Sequence, residues 1–357
     1  MKEAIKNRKM LDTLKTKAKK IIPSRFHPYA RLIYSILTQS KKLKKKIDPL
    51  IEEMKRERDR FACWVDETLK LHAPYGLPQR EFMLKENHLF LKSNYGVWFA
   101  YVPGFGLRHL EMNGTNDRVQ IQFILNNIPE DAVFFDIGAS YGYYSMTIAK
   151  EKPGATVHAF EPSRRSQEYF LLNLWKNLLN NVYLVPSAVG NNNGIVSGVG
   201  SIDDFGVSYI RPFNKDNYYK LEAITLDTYV AQKEIDSLNY IKIDIEGGEL
   251  LAIRGAVQSI QRFRPIGQCE LDECFSQQRF GYSCDEIFKL MENMGYNYFF
   301  LPKRNYLYEF GKLILGERNV QDALRQSSEF FFVPREKMNS INLENDFSRP
   351  VKFPYAV

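Results

Sequence analysis

Two short acidic phrases carry most of the chemistry legible in this sequence. The first is Asp136-Ile137-Gly138-Ala139-Ser140-Tyr141-Gly142, which ends an apolar run and leads directly into a helical pattern. A glycine-bearing turn at a strand-to-helix junction lets the backbone approach a ligand and aims helix N–H groups at it. The glycines are spaced G-x-x-x-G, not the G-x-G-x-x-G of a dinucleotide fingerprint. Asp136 is the informative residue. Its carboxylate at the mouth of the turn would repel a diphosphate, but it suits a ligand that carries a sulfonium and an ammonium group. S-adenosylmethionine fits that description; a tight turn with an acidic cap is the plain alternative.

The second phrase is Ile241-Lys242-Ile243-Asp244-Ile245-Glu246-Gly247-Gly248-Glu249. Asp244 and Glu246, two apart at a strand exit, could bind an acceptor hydroxyl, take its proton, or hold a divalent cation. Glu249 falls in a first helical turn, where the helix dipole favours an acid. Between the two phrases, Phe160-Glu161-Pro162 puts an acid where a ribose would offer its hydroxyls, although a capping glutamate is as good a reading. Ser187 stands where an adenine edge would lie, and a loop serine is the simpler account. Asn173 and Asn177, one helical turn apart, read as structural or solvated. Glu270, in Cys269-Glu270-Leu271-Asp272-Glu273, lies near the same crevice and is divided between a solvated face and a substrate contact. His158 sits within a strand and reads as a core histidine, while His109 has no spacing argument. Cys63, Cys269, Cys274 and Cys284 form no C-x-x-C pair and have no histidine cluster nearby, which argues against a structural zinc site and favours free thiols.

For the two phrases to cooperate, the scaffold must bring residues 136 and 244 together. Short apolar runs at 133–137, 156–160, 182–185, 240–243, 266–269, 298–301 and 330–333 read as strands. Helical patterns at 141–150, 165–179, 226–231, 250–262 and 285–294 alternate with them. The expected class is α/β, a doubly wound and mostly parallel sheet covered on both faces. In the order 3-2-1-4-5 the first and fourth strands are neighbours, so Asp136 and Asp244 should face one crevice. Segments 88–115 and 190–222 are expected to shape the acceptor pocket. Tyr209, Phe213, Tyr218 and Tyr219 there suit stacking on a sugar as well as ordinary packing.

The charge is uneven. Residues 1–60 hold 19 Lys/Arg against 7 Asp/Glu, so of the net +7 this end contributes about +12 and the remainder about −5. Leu11, Leu14, Ala18 and Ile21 recur at helical spacing, Asp48-Pro49 is a helix start, and Pro74, Gly76 and Pro78 break the chain. We therefore expect a basic helical extension at 1–78 and a catalytic body at 79–357, with its core at about 119–303. No run approaches the roughly 18 apolar residues of a membrane span, and no apolar core follows the lysine-rich start. The expected compartment is the cytoplasm, with the basic end suited to peripheral contact at the inner face of the membrane. Lysines without interleaved aromatics argue against specific nucleic-acid binding, and a solvated extension is the bland alternative. Oligomeric state is left open.

The phrases FFDIGASYGYYS, HAFEPS, LNLWKNLLNNV, ITLDTYV and YIKIDIEGGELLAIRGA, in that order, make the text resemble the FkbM-type methyltransferases over about residues 119–303. The resemblance implies a class I (Rossmann-like) methyltransferase fold, S-adenosylmethionine as methyl donor, and O-methylation of a sugar, glycan or polyketide product. Asp136, Gly138, Ala139, Ser140, Tyr141, Gly142 and Glu161 match the cofactor segment. Asp244, Glu246 and Gly247 match the acidic motif, for which a catalytic role of Asp244 and Glu246 is implied. Asn191 departs from the pattern, standing where an Asp is common, and residues 1–75 lie outside it. Two other readings compete. One is a nicotinamide-dependent oxidoreductase or epimerase, disfavoured by Asp136 and the glycine spacing. The other is a membrane- or nucleic-acid-binding module with an idle body.

Overall fold

Apolar runs buried on both faces build the central sheet. In β4 (Val133–Ile137), β5 (Thr156–Phe160) and β11 (Tyr240–Ile243), the residues Phe134, Phe135, Ile137, Val157, Phe160, Tyr240 and Ile241 are all buried. Such double burial suits parallel strands. β4 pairs in parallel with β5 and β11, β5 with β6 (Val182–Val185), and β11 with β12 (Ile266–Glu270). The sheet closes with antiparallel strands β13 (Tyr296–Leu301), β14 (Ile314–Leu315) and β15 (Glu329–Pro334). Its order, β14-β13-β15-β12-β11-β4-β5-β6, contains the expected 3-2-1-4-5 core. Register sets Asp136 beside Lys242.

This computed structural model describes residues 82–85, 88–101, 110, 117–199, 209–212, 219–302, 313–316 and 320–343. The basic extension 1–78, Cys63, His109, Phe213 and Tyr218 lie outside the described residues. The chain divides into two units, 1–90 and 91–357. Described residues of the first form β1 (Phe82–Lys85) and the start of β2 (His88–Lys92).

In the second unit, β3 (Trp98–Ala100) precedes α1 (Arg118–Asn127), α2 (Tyr143–Glu151) and α3 (Arg164–Asn177). Asn173 and Asn177 of α3 are structural. Asn173 Oδ1 accepts from Ala100 N at 2.7 Å, and Asn177 Oδ1 from Trp98 N at 2.8 Å. The Asn177 amide donates back to Trp98 O at 2.7 Å. The glycine- and asparagine-rich segment supplies β8 (Gly194–Val199), β9 (Tyr209–Pro212) and β10 (Tyr219–Ile224). With β7 (Ala188–Val189) they form a second sheet of order β7-β10-β8-β9.

α4 (Leu226–Gln232) follows, capped by Thr225, whose hydroxyl accepts from Thr228 N at 3.1 Å. The single helix expected over 250–262 is two, α5 (Glu249–Arg254) and α6 (Val257–Phe263). The break has two causes. A Cβ at Gly255 would overlap the carbonyl oxygen of Gly190, so close chain approach requires glycine there. Asp227, from α4, then caps the new helix, accepting from Ser259 N at 2.8 Å and Gln258 N at 3.1 Å. α7 (Asp285–Asn293) and α8 (Val320–Gln326) complete the unit.

Candidate active site

The turn after β4 is bound to the end of β5. The N–H groups of Gly138 and Ala139 both donate to Phe160 O, at 3.0 and 3.1 Å. Gly138 has φ +79°, and a Cβ on it would overlap the carbonyl oxygen of Asp244. Ser140 is left-handed at φ +51°, which costs a non-glycine residue about 1–2 kcal/mol. Its N–H is held by Glu161 Oε2 at 2.8 Å, while Glu161 Oε1 accepts from Ser163 N at 2.7 Å. Glu161 therefore ties two turns together, and a carboxylate retains further lone pairs for a ligand hydroxyl. Burial pushes its carboxyl up to about 7, against the two backbone donors.

Asp136 is 1% exposed. Its Oδ2 accepts from Ser145 N at 3.1 Å and Ser145 Oγ at 2.6 Å, but Oδ1 is buried without a hydrogen-bond partner. Burial raises its pKa, with the Lys242 charge acting against it. The Lys242 ammonium lies 3.9 Å from Asp136 Oδ1 and 3.1 Å from Asp244 Oδ2, over the Tyr144 ring at 4.7 Å. Burial opposes its charge, yet the Asp244 and Asp136 carboxylates more than offset this and raise its pKa. Lys242 is thus a fixed cation between the two motifs. The sequence suggested no role for it, although a lysine between Ile241 and Ile243 in an apolar run was a signal to be read.

Asp244 begins the loop after β11, its N–H donating to Ile137 O at 3.0 Å and its carboxylate partly open to the cleft. Glu246 is left-handed at φ +58°. Arg279 steadies it, donating to Glu246 O at 2.8 Å and reaching Oε2 at 3.3 Å. Burial and the Asp244 charge raise the Glu246 pKa, with Arg279 opposing. Glu249 does more than sit in a helix dipole. Fully buried, it accepts from Ile245 N and Gly247 N, both at 3.1 Å, so it braces the acidic loop from inside. Burial pushes its carboxyl up to about 7.

These groups enclose a cavity of about 260 Å³. Asp136, Gly138, Ala139, Ser140, Tyr141, Glu161, Ser187, Asp244 and Glu246 all line it, joined by Tyr143, Tyr144, Lys242 and Glu270. Gly142 does not line it; a Cβ there would press on the Phe170 ring at 2.8 Å. Ser187 directly precedes β7, its N–H bonded to Val185 O at 2.8 Å. His158 is half-buried, not a core residue, with Nδ1 2.8 Å from the Tyr229 hydroxyl and its pKa lowered by burial to about 4. Cys269 and Cys284 are buried free thiols and Cys274 an exposed one.

The lining favours a positively charged ligand. Among the described residues Lys242 is the one cation on the wall, and two carboxylates already engage it. The orphaned Asp136 Oδ1 is a buried acceptor, and the bare Gly138 backbone leaves room for close approach. Among the described residues, no group of three or more His, Cys, Asp or Glu is arranged to hold a metal ion. Nor is any helix of these residues long and apolar enough to cross a membrane.

Residues 136–298 match the model of the methyltransferase FkbM domain. The chain is also similar to solved structures at low identity. Methyltransferase FkbM from Methylobacillus flagellatus KT is 18% identical at a TM-score of 0.37, the match covering 57% of this chain and 44% of that one. This chain thus spans less than half of that protein's length. Precorrin-6y C5,15-methyltransferase from Geobacter metallireducens GS-15 is 13% identical at 0.34, covering 66% and 92% of the two chains. A SAM-dependent methyltransferase from Aquifex aeolicus is 12% identical at 0.33, covering 61% and 87%. No curated protein sequence matches the chain.

Proposed function

From the match of residues 136–298 to the methyltransferase FkbM domain, we infer S-adenosylmethionine-dependent methyl transfer to a hydroxyl of a sugar, a glycan or a related natural product. One observation carries the reading: the wall of the cleft presents Asp136, Glu161, Asp244 and Glu246 around a glycine turn, and the one lysine among its described residues is already neutralised. Such a lining suits a sulfonium and an ammonium group and repels a diphosphate.

When bound, S-adenosylmethionine supplies an electrophilic methyl carbon on a cationic sulfur. The chain's own residues have three tasks. Glu161 accepts ribose hydroxyls, and Ser187 flanks the base. Asp136 and the turn Gly138–Tyr141 hold the charged amino-acid end. Asp244 and Glu246 orient the acceptor hydroxyl and take its proton as the new C–O bond forms and the C–S bond breaks. Their environments divide the work. Asp244 is held as an ion pair by Lys242, which suits orientation, whereas burial raises the pKa of Glu246 against the Arg279 charge, which suits proton removal.

Calorimetry tests the donor assignment. S-adenosylhomocysteine should bind, and NAD should give no heat. Tight NAD binding with no response to S-adenosylhomocysteine would overturn the reading. For residues 1–78 we propose peripheral contact with an anionic membrane surface, supported by their charge. Co-sedimentation with phosphatidylserine vesicles should be lost on their removal; unchanged binding would end that proposal.

A further inference from the structure

Beside the cofactor cleft lies a second, smaller cavity of about 120 Å³. It shares Asp117, Tyr144, Lys242, Asp244 and Glu270 with the larger one, so it adjoins Asp244, one of the carboxylates assigned to the acceptor hydroxyl. Gln120 of α1 lines it and is 1% exposed. Neither Oε1 nor Nε2 of that amide has a hydrogen-bond partner. An orphaned buried polar group costs about 1–3 kcal/mol, and a ligand that pairs with it removes the cost.

The remaining wall is acidic. Glu270 and Glu329 are direct register partners across β12 and β15. Glu329 accepts one hydrogen bond from Gln268 Nε2 at 3.2 Å, and Glu270 opens into both cavities. Among the described residues Lys242 is again the one lining cation, and it is engaged by Asp244 and Asp136. Asp244 and burial raise the pKa of Glu270, and burial raises that of Glu329, with the Lys242 charge opposing both. A neutral polyol would fill the hydrogen bonds but bring no positive charge to the crowded acids. An ammonium group answers both, since it is a cation with three donors and no acceptor.

We propose that this cavity anchors the methyl acceptor through a primary ammonium group, held by Glu270 and Glu329 and by the Gln120 carbonyl oxygen. The Gln120 amide N–H then donates to an oxygen of the same acceptor. The inference rests on the methyl-transfer reading, because it makes the smaller cavity the acceptor's.

Calorimetry on the full chain tests it in two stages. S-adenosylhomocysteine is titrated first. If it does not bind, the methyl-transfer reading fails and this inference with it. The loaded protein is then titrated with D-glucosamine, D-glucose and magnesium chloride. Glucosamine should bind at least tenfold more tightly than glucose, which shares its framework but lacks the amine. Gln120→Leu and Glu329→Gln should each weaken glucosamine at least fivefold, with S-adenosylhomocysteine affinity held within twofold as the check on folding. Should a variant lose that affinity, the wild-type ratio of glucosamine to glucose decides. Equal affinities, silence from both sugars, magnesium binding in the amine's place, or unaffected variants would overturn this inference alone.

Discussion

Gly138 lies directly against the carbonyl oxygen of Asp244, so the first acidic motif and the second are in backbone contact. A side chain at 138 would overlap that oxygen, and the φ of +79° disfavours one in any case. Gly138→Ala should therefore destabilise the fold by more than roughly 2 kcal/mol, from left-handed strain plus the clash. It should also abolish S-adenosylhomocysteine binding. Urea melts and calorimetry read the two effects.

Asp244→Asn keeps the shape of the side chain and removes the charge. Turnover should fall at least 100-fold, in the range usual for a lost acid–base or orienting group. Affinity for S-adenosylhomocysteine should stay within a few-fold, because Asp136 and Glu161 remain. Glu246→Gln should behave similarly. Transfer of a labelled methyl group, compared between wild type and each variant, separates the two quantities, and unchanged turnover in Asp244→Asn would remove it from the mechanism.

Lys242→Met should leave Asp136 as a buried carboxylate without its counter-ion. Breaking a buried pair from one side typically costs about 3–5 kcal/mol. The double variant Lys242→Met with Asp136→Asn should recover part of that loss. A double-mutant cycle in urea would show it, and additive losses would mean that the two groups do not interact.

Stability should fall as pH rises from about 5 to 7. Glu249 has its carboxyl pushed up to about 7 from an ordinary 4.5, so between those values the folded state holds a proton that the unfolded chain releases. The contribution is fully present below 4.5 and gone above 7. Glu161 titrates in the same window and adds to the slope. Glu249→Gln should flatten the pH dependence of the urea midpoint without abolishing it. Binding of S-adenosylhomocysteine should run the other way, strengthening towards pH 8 as Glu161 ionises.

Much of this architecture was readable because its strands are short continuous apolar runs with abrupt polar stops. β4, β5, β6 and β11 begin and end where those runs do. The break at Gly255 was not readable, since it depends on the distant Gly190 carbonyl and on Asp227 in another helix. Lys242 was given no role, because burial of its ammonium depends on Asp136 and Tyr144, which reach it from another part of the chain. Glu249 looked like a dipole-matched surface acid, and only the curl of the loop turns it inward. Gln120 gave no signal at all. A glutamine in an amphipathic helix reads as solvent-facing until the neighbouring strands close over it.

The amides of Asn173 and Asn177 occupy backbone groups of β3 that another strand would otherwise seek. An open strand margin can recruit a neighbouring molecule and seed aggregation. Here one helix imitates a strand with two side chains and denies that template to other copies. Loss of Asn177 would then be felt less in the chemistry of the cleft than in how well the protein stays dispersed at high concentration, whereas Asn173 also donates to Tyr141 O at 2.8 Å in the turn that lines the cleft.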